Sequence, residues 1–229
     1  SKNDVNFPLG YDIINANLGD PYIRKFSTKK GIKNLESIFK NKNSKIFPPY
    51  EHLDFIWNKD KYMKHMISKN IPVTPSIILE KVNIGKLIEE IKNNKWNKFI
   101  LKPIGSTSKE GFKLFSLSKI LKNKKELDEY LKSNEYYDKF IVQEFISGFG
   151  KFGEIRMYWI NGEYSYAVNT KDVGSDYEMV VTTVKDKKRL DKCINIGKKV
   201  IENIPEIKIK GKVVKPVMNR TDFACCLNN

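Results

Sequence analysis

Lys102 closes a short apolar run, Phe99-Ile100-Leu101, and is followed by Pro103 and the stretch Gly105-Ser106-Thr107-Ser108-Lys109-Glu110-Gly111. A lysine at a strand end beside a loop of small polar residues brings one cation and several backbone N–H groups together, a combination that suits a polyphosphate. A second run, Val142-Gln143-Glu144-Phe145-Ile146, ends with a carboxylate among apolar residues. It suits a purine, which needs an acceptor for its amino group, backbone for a ring nitrogen and aliphatic walls for its faces. Glu154 and Arg156 are two residues apart, and Arg220 and Asp222 repeat that spacing. On a strand, such pairs share a face. Each then sets a basic fork beside an acidic oxygen ligand, as a nucleotide with bound Mg²⁺ demands. One pair alone reads as a surface ion pair; four such elements in a fixed order argue together.

The elements that must position these residues follow from periodicity. Tyr62, Met63, Met66 and Ile67 form a helix face within 60–69, which Asn70 and Pro72 stop. A strand is expected at 76–79. Ile84, Leu87, Ile88 and Ile91 then mark an amphipathic helix. The Lys102 run pairs with a strand over 112–117 across the polar loop, a helix spans 119–133, and 140–146 is a strand. Strands at 154–160 and 164–169 meet at Asn161-Gly162, a type I′ hairpin signal. Another strand covers 177–184. Leu190, Cys193, Ile194, Gly197 and Ile201 draw a helical stripe from Asp186 to Pro205, and a last β segment runs over 213–227. Residues 1–58, with Pro8, Pro21, Pro48 and Pro49, read as a loop-rich lead-in with little regular structure. Strands and helices alternate without a strict βαβ rhythm, which makes the fold class α+β.

At 229 residues the chain can bury a core without disulfides. Cys193, Cys225 and Cys226 show no metal-ligand spacing and read as buried thiols. The polar opening and the lack of a long apolar run lead us to expect a soluble, cytoplasmic protein without a membrane partner. The net charge of +15 invites a nucleic-acid reading. Composition argues against it: 38 lysines, 22 asparagines and only 3 alanines against 4 arginines indicate codon drift onto solvated faces. Where lysine is the easy residue, a retained arginine points to a need for its fork geometry. His52 and His65 read as structural or solvent-facing.

Two motif matches are decoys. Gly148-Phe149-Gly150-Lys151-Phe152-Gly153 is a literal GxGxxG, but a dinucleotide fingerprint needs a helix after its glycines, where 154–160 reads as a strand. A flexible turn is expected there. Ala167 to Lys171 echoes a kinase lysine strand without the downstream catalytic segments. Gly105 to Gly111 also lacks the Lys-Ser/Thr ending of a Walker A loop.

From about Asn58 to Leu227 the chain resembles the ATP-grasp superfamily. The matching stretches are Asp60-Lys61 ahead of Ile71-Pro72-Val73-Thr74-Pro75, ILKP with its Gly/Ser/Thr loop, VQEFI, GEIRMYWING, and Arg220-Thr221-Asp222-Phe223. The resemblance implies two α+β lobes, each a mixed or antiparallel sheet with helices, that clasp ATP. The domains expected are the lead-in over 1–58 and lobes over 59–147 and 148–229. By the same resemblance Lys61 and Lys102 meet the phosphates, Gly105, Ser106, Thr107 and Ser108 belong to a lid, and Glu144 with the Phe145 and Ile146 backbone receives adenine. Glu154 approaches the ribose or phosphate side, Arg156 the γ-phosphate or acyl phosphate, and Asp222 a Mg²⁺, with Arg220 beside it. Only seven residues follow Asp222, where the family continues with a Glu-x-Asn strand, and the lead-in is short for the family's N-terminal domain. Truncation is the expectation for both.

The function so implied is ATP-dependent ligation of a carboxylate to an amine or thiol through an acyl phosphate, with ATP and Mg²⁺ as cofactors and an unidentified carboxylate or polyanion as substrate. Two alternatives stand beside it. One is a kinase of polyanionic small molecules such as inositol phosphates; the other is a basic binding protein on a degenerate nucleotide fold.

Overall fold

The structure is a computed structural model that describes residues 14–15, 46–47, 49–104, 111–135, 137–172, 179–209, 211–214 and 216–225. These fall into two compact units. The first runs to Lys64 and resumes over Thr74–Glu144; the second comprises His65–Val73 and the chain from Phe145 onward. Both are α+β, each with a four-stranded antiparallel sheet, in line with the expected fold class.

In the first unit, β1 (Ile14–Asn15) and β2 (Ile46–Phe47) pair in parallel. Helix α1 (Tyr50–Trp57) follows Pro49 and carries Glu51 in its first turn. The lead-in was expected to hold little regular structure, and α1 corrects that: Leu53 and His52 are buried and anchor it. Helix α2 (Lys59–Ser68) starts in the first unit, and its last turn, counted with the second, ends where Asn70 takes a φ of +55° and the Ile71 N–H donates to the Met66 carbonyl at 2.9 Å. Strands β3 (Ser76–Leu79), β4 (Lys98–Pro103), β5 (Lys113–Ser116) and β6 (Phe140–Glu144) form a sheet in the order β3-β6-β4-β5. Three helices cover one face: α3 (Ile84–Asn93), capped where Asn83 Oδ1 accepts from the Lys86 N–H, α4 (Leu117–Lys122) and α5 (Lys125–Ser133). Their Leu87, Ile91, Ile120, Leu127 and Tyr130 pack with Phe99, Leu101, Phe115 and Val142. The helix expected over 119–133 is thus two, broken at Asn123, whose Oδ1 accepts from the Lys125 N–H at 2.9 Å. With Phe99 and Leu101 committed to this core, alternation turns Ile100 and Lys102 to the opposite face.

Beyond Glu144 the first element of the second unit is α6 (Gly148–Phe152), a short helix where a flexible turn was expected. Its glycines answer to packing. A Cβ on Gly148 would lie 1.7 Å from the Cys225 carbonyl oxygen, and Gly153 has a φ of +77°. Strands β7 (Glu154–Ile160), β8 (Glu163–Asp172), β9 (Met179–Thr183) and β12 (Met218–Ala224) form an antiparallel sheet in the order β12-β7-β8-β9. Asn161 and Gly162 both have positive φ, +51° and +85°, as the I′ turn between β7 and β8 needs. The ladder slips one residue here: Tyr158 pairs with Tyr166 but Trp159 with Tyr164, skipping Ser165. Helix α7 (Lys187–Glu202) starts where Asp186 Oδ1 accepts from the Arg189 N–H at 3.0 Å. It packs Leu190, Cys193 and Ile194 against Ile155, Met157 and Trp159. A separate hairpin joins β10 (Ile207–Ile209) to β11 (Lys212–Val214). The single β segment expected over 213–227 is therefore divided between two sheets.

Cys193 is buried, and burial pushes its thiol pKa up. Cys225 is half-buried, which corrects the buried reading for that residue, and Cys226 lies outside the described residues. No described helix is long and apolar enough to cross a membrane.

Candidate active site

Strand β7 alternates strictly: Ile155, Met157 and Trp159 are buried against α7, so Glu154, Arg156 and Tyr158 occupy the other face. Strand β12 follows the same rule. Trp159 Nε1 donates to Thr221 Oγ1 at 2.9 Å and Phe223 joins the same core, which leaves Arg220 and Asp222 on the face of Glu154 and Arg156. Pairing across the strands puts Asp222 directly opposite Arg156, Arg220 opposite Tyr158 and Ala224 opposite Glu154.

Arg156 Nε donates to Glu154 Oε2 at 2.7 Å. Arg220 grips Asp222 with both ends of its fork, Nε to Oδ1 at 2.8 Å and Nη2 to Oδ2 at 2.9 Å. Burial alone would lower the Arg220 pKa; the hydrogen bonds and charge of Asp222, with smaller contributions from Tyr158 and Glu154, lift it above the ordinary arginine value. Beside these charges Tyr158 and Tyr166 stack with ring centroids 4.5 Å apart and planes 14° from parallel. The face thus joins two cationic forks, two carboxylates and an aromatic pair, a set able to bind a metal-bound polyanion and to orient a carboxylate.

In the first unit, Lys102 is half-buried on β4, directly opposite the fully buried Ile141, with Ile100 two residues away on the same face. That Ile141 stands beside Lys102 was not legible in the sequence, because the β4–β6 register is a long-range property. Glu144 ends β6, and its N–H donates to the Pro75 carbonyl at 3.0 Å. The division between the units falls immediately after it. Phe145 and Ile146 follow outside the strand; Ile146 is buried, and its carbonyl accepts from the Phe149 N–H at 3.2 Å. Lys61 extends from α2 to form an ion pair with Asp54 of α1, which also accepts from Asn58 Nδ2 at 2.7 Å. The buried Asp60 instead lies 3.8 Å from Lys139, whose ammonium is held charged to higher pH by its hydrogen bond to Glu80 and the nearby Asp60 charge. Gly105, Ser106, Thr107 and Ser108, expected to form a lid, lie outside the described residues.

Neither protein-family sequence models nor curated protein sequences match the chain. Solved structures do. It is similar to the D-cycloserine synthetase DcsG, with a TM-score of 0.61 and 12% identity over 86% of this chain and 68% of that one. A D-alanine–D-alanine ligase from Bacillus anthracis complexed with ATP gives a TM-score of 0.53 and 13% identity over 76% of this chain and 53% of its own. The ATP-grasp ligase PsnB, complexed with minimal precursor, Mg and ADP, gives 0.50 and 12% identity over 87% of this chain and 56% of its own. The chain has the ATP-grasp fold. It spans little more than half the length of the last two of these ATP-grasp structures.

Among the described residues no group of three or more His, Cys, Asp or Glu is placed to hold a metal by itself. Asp222 and Glu154 are nonetheless diagonal neighbours on one sheet face. One or two carboxylates completed by phosphate oxygens and water is a coordination Mg²⁺ favours. The residues therefore fit a metal that arrives with a polyphosphate, provided that Arg220 yields an oxygen of Asp222.

Proposed function

We propose that this protein is an ATP-dependent ligase that joins a carboxylate to an amine or thiol through an acyl phosphate. The observation that carries the reading is the charged face of β7 and β12, with Arg156 opposite Asp222, within an ATP-grasp fold. In this reading Lys61 and Lys102 meet phosphate oxygens, as do Gly105, Ser106, Thr107 and Ser108. Glu144 accepts from the adenine amino group while the Phe145 and Ile146 backbone meets its ring edge. Glu154 approaches the ribose or phosphate side. Asp222 would hold Mg²⁺, which when bound would supply neutralising charge to the phosphate oxygens.

A substrate carboxylate attacks the terminal phosphorus of ATP; its oxygen gains the phosphoryl group and the bond to ADP breaks. The amine or thiol then attacks the acyl carbon, loses its proton and displaces phosphate. Arg156 and Arg220 stabilise charge on the transferring group from fixed positions, so little reorganisation is needed as the transition state forms. The similarity to ligases that were solved with ATP, and with Mg and ADP, supports this choice over a kinase.

Thermal unfolding with Mg-ATP tests the reading. Ligand at about 100 times its dissociation constant adds about 2.7 kcal/mol, a rise of roughly 5 to 11 °C for a domain of this size. Lys102→Ala should weaken ATP far more than adenosine, because the lost interaction is between charges. A folded protein whose melting temperature ignores saturating Mg-ATP refutes the proposal.

A further inference from the structure

Tyr130 of α5 is 7% exposed, and its ring is fixed by edge contacts to Phe115 at 5.4 Å and Phe140 at 6.3 Å. A buried phenol needs one hydrogen-bond partner. This hydroxyl faces two carbonyl oxygens, that of Gly111 at 2.5 Å and that of Leu101 at 3.2 Å. Leu101 immediately precedes Lys102 on β4, and Gly111 lies two residues before β5, which pairs with β4. The phenol's single proton, shared between these carbonyls, therefore links the end of β4 to the residues that lead into β5.

The same place is fixed from two further sides. Gly111 has a φ of +62°, and a Cβ there would stand 2.6 Å from Pro103 Cδ, so the returning flank lies directly on the proline that follows Lys102. Asn134, also buried, donates from Nδ2 to the Tyr130 carbonyl at 2.9 Å, and its Oδ1 would be 3.0 Å from that same Gly111 Cβ. A core tyrosine with no further duty would be satisfied by any one backbone acceptor. Here Tyr130 and Asn134, one helical turn apart, both lie against Gly111, and the Tyr130 hydroxyl also meets the residue before Lys102.

We infer that Tyr130 is a positioning residue for the phosphate-binding lysine: its hydroxyl sets where the Lys102 end of β4 stands, and so how well the ammonium meets the phosphates of a nucleotide. The inference rests on the ligase reading, which assigns Lys102 to phosphate. Tyr130 touches no ligand in this scheme and acts through the backbone of Leu101 and Gly111.

The experiment compares ATP and adenosine binding by titration calorimetry, in Mg²⁺, for wild type, Tyr130→Phe, Lys102→Ala and the double variant. Tyr130→Phe keeps the ring contacts and removes only the hydroxyl. It should weaken ATP about three- to tenfold, the worth of one hydrogen bond, and leave adenosine unchanged. Added to Lys102→Ala it should have little further effect, because coupled residues do not act additively. Gly111→Ala, which displaces the same flank, should show the same selective loss and serves if Tyr130→Phe fails to fold. Unchanged ATP affinity, equal losses for ATP and adenosine, or full additivity with Lys102→Ala would overturn the inference while leaving the ligase reading intact. A wild type that binds no ATP removes both.

Discussion

Asp222→Asn probes the catalytic half of the reading most directly. The substitution keeps the side-chain shape and removes one negative charge from a residue whose two oxygens are both engaged by Arg220, at 2.8 and 2.9 Å. Arg220 and Asp222 side chains are 48% and 32% exposed, so the pair is partly solvated. Such pairs contribute about 0 to 1 kcal/mol, and the variant should lose no more than about 4 °C in melting temperature. Its effect on Mg²⁺ should be larger. On the ligase reading Asp222 would hold a metal that arrives with the phosphates, so ATP affinity should rise as Mg²⁺ is titrated in. In Asp222→Asn the anchor is a neutral amide while Arg156, directly opposite, keeps its charge. ATP should then bind with an affinity nearly independent of added Mg²⁺. Calorimetric titration of ATP at a series of Mg²⁺ concentrations measures the slope for both proteins. Identical slopes would reduce Arg220 and Asp222 to a surface pair and refute the metal assignment.

Gly148→Ala should destabilise the second unit by about 2 kcal/mol or more through overpacking, since its Cβ would meet the Cys225 carbonyl, whereas Gly150→Ala has open space and should be tolerated; chemical denaturation of the two variants separates them. Thr221→Val leaves the Trp159 indole N–H, held in the core, without its acceptor, at a cost of about 1 to 3 kcal/mol; wild-type stability in the variant would show that the bond contributes nothing. His52 is buried, and burial lowers its pKa below 6.5. Between that lowered value and about 6.5 the unfolded chain binds the extra proton, so stability rises with pH through this window and levels off above it. His52→Gln should flatten that part of a melting-temperature profile, and a slope as steep as that of wild type would exclude His52 as its source.

What could be read from the sequence was what local geometry dictates. Asn161-Gly162 announced its turn because few other residues tolerate two successive positive φ values, and the i, i+2 pairs announced a shared face because strand period is fixed. The break at Asn123 escaped notice because Ile120, Leu127 and Tyr130 keep a helical stripe across it, although an asparagine ahead of a second run is itself a capping signal. Helix α1 hid behind Pro48-Pro49, read as loop punctuation, when a proline just before a first turn is equally a start signal. The juxtaposition of Arg156 with Asp222 depends on pairing strands more than sixty residues apart, and no local pattern carries that register. The clamp of Tyr130 on Leu101 and Gly111 is a long-range contact of the same kind.

The one-residue slip in the β7–β8 ladder bears on how this hairpin can change length. Tyr164 packs edge-on against Trp159 in the core, while Tyr166 stacks with Tyr158 on the charged face. Two residues apart on a regular strand they would share a side; the exposed Ser165 between them is the surplus residue that separates them. Losing Ser165 would therefore restore an unbroken ladder with every neighbour still facing its present side. Losing Val168 instead would exchange interior for exterior from that point to the end of β8, because a single-residue shift inverts a strand's faces. Along this hairpin, a single deletion is tolerated or ruinous according to whether it removes the surplus residue, not according to chemistry.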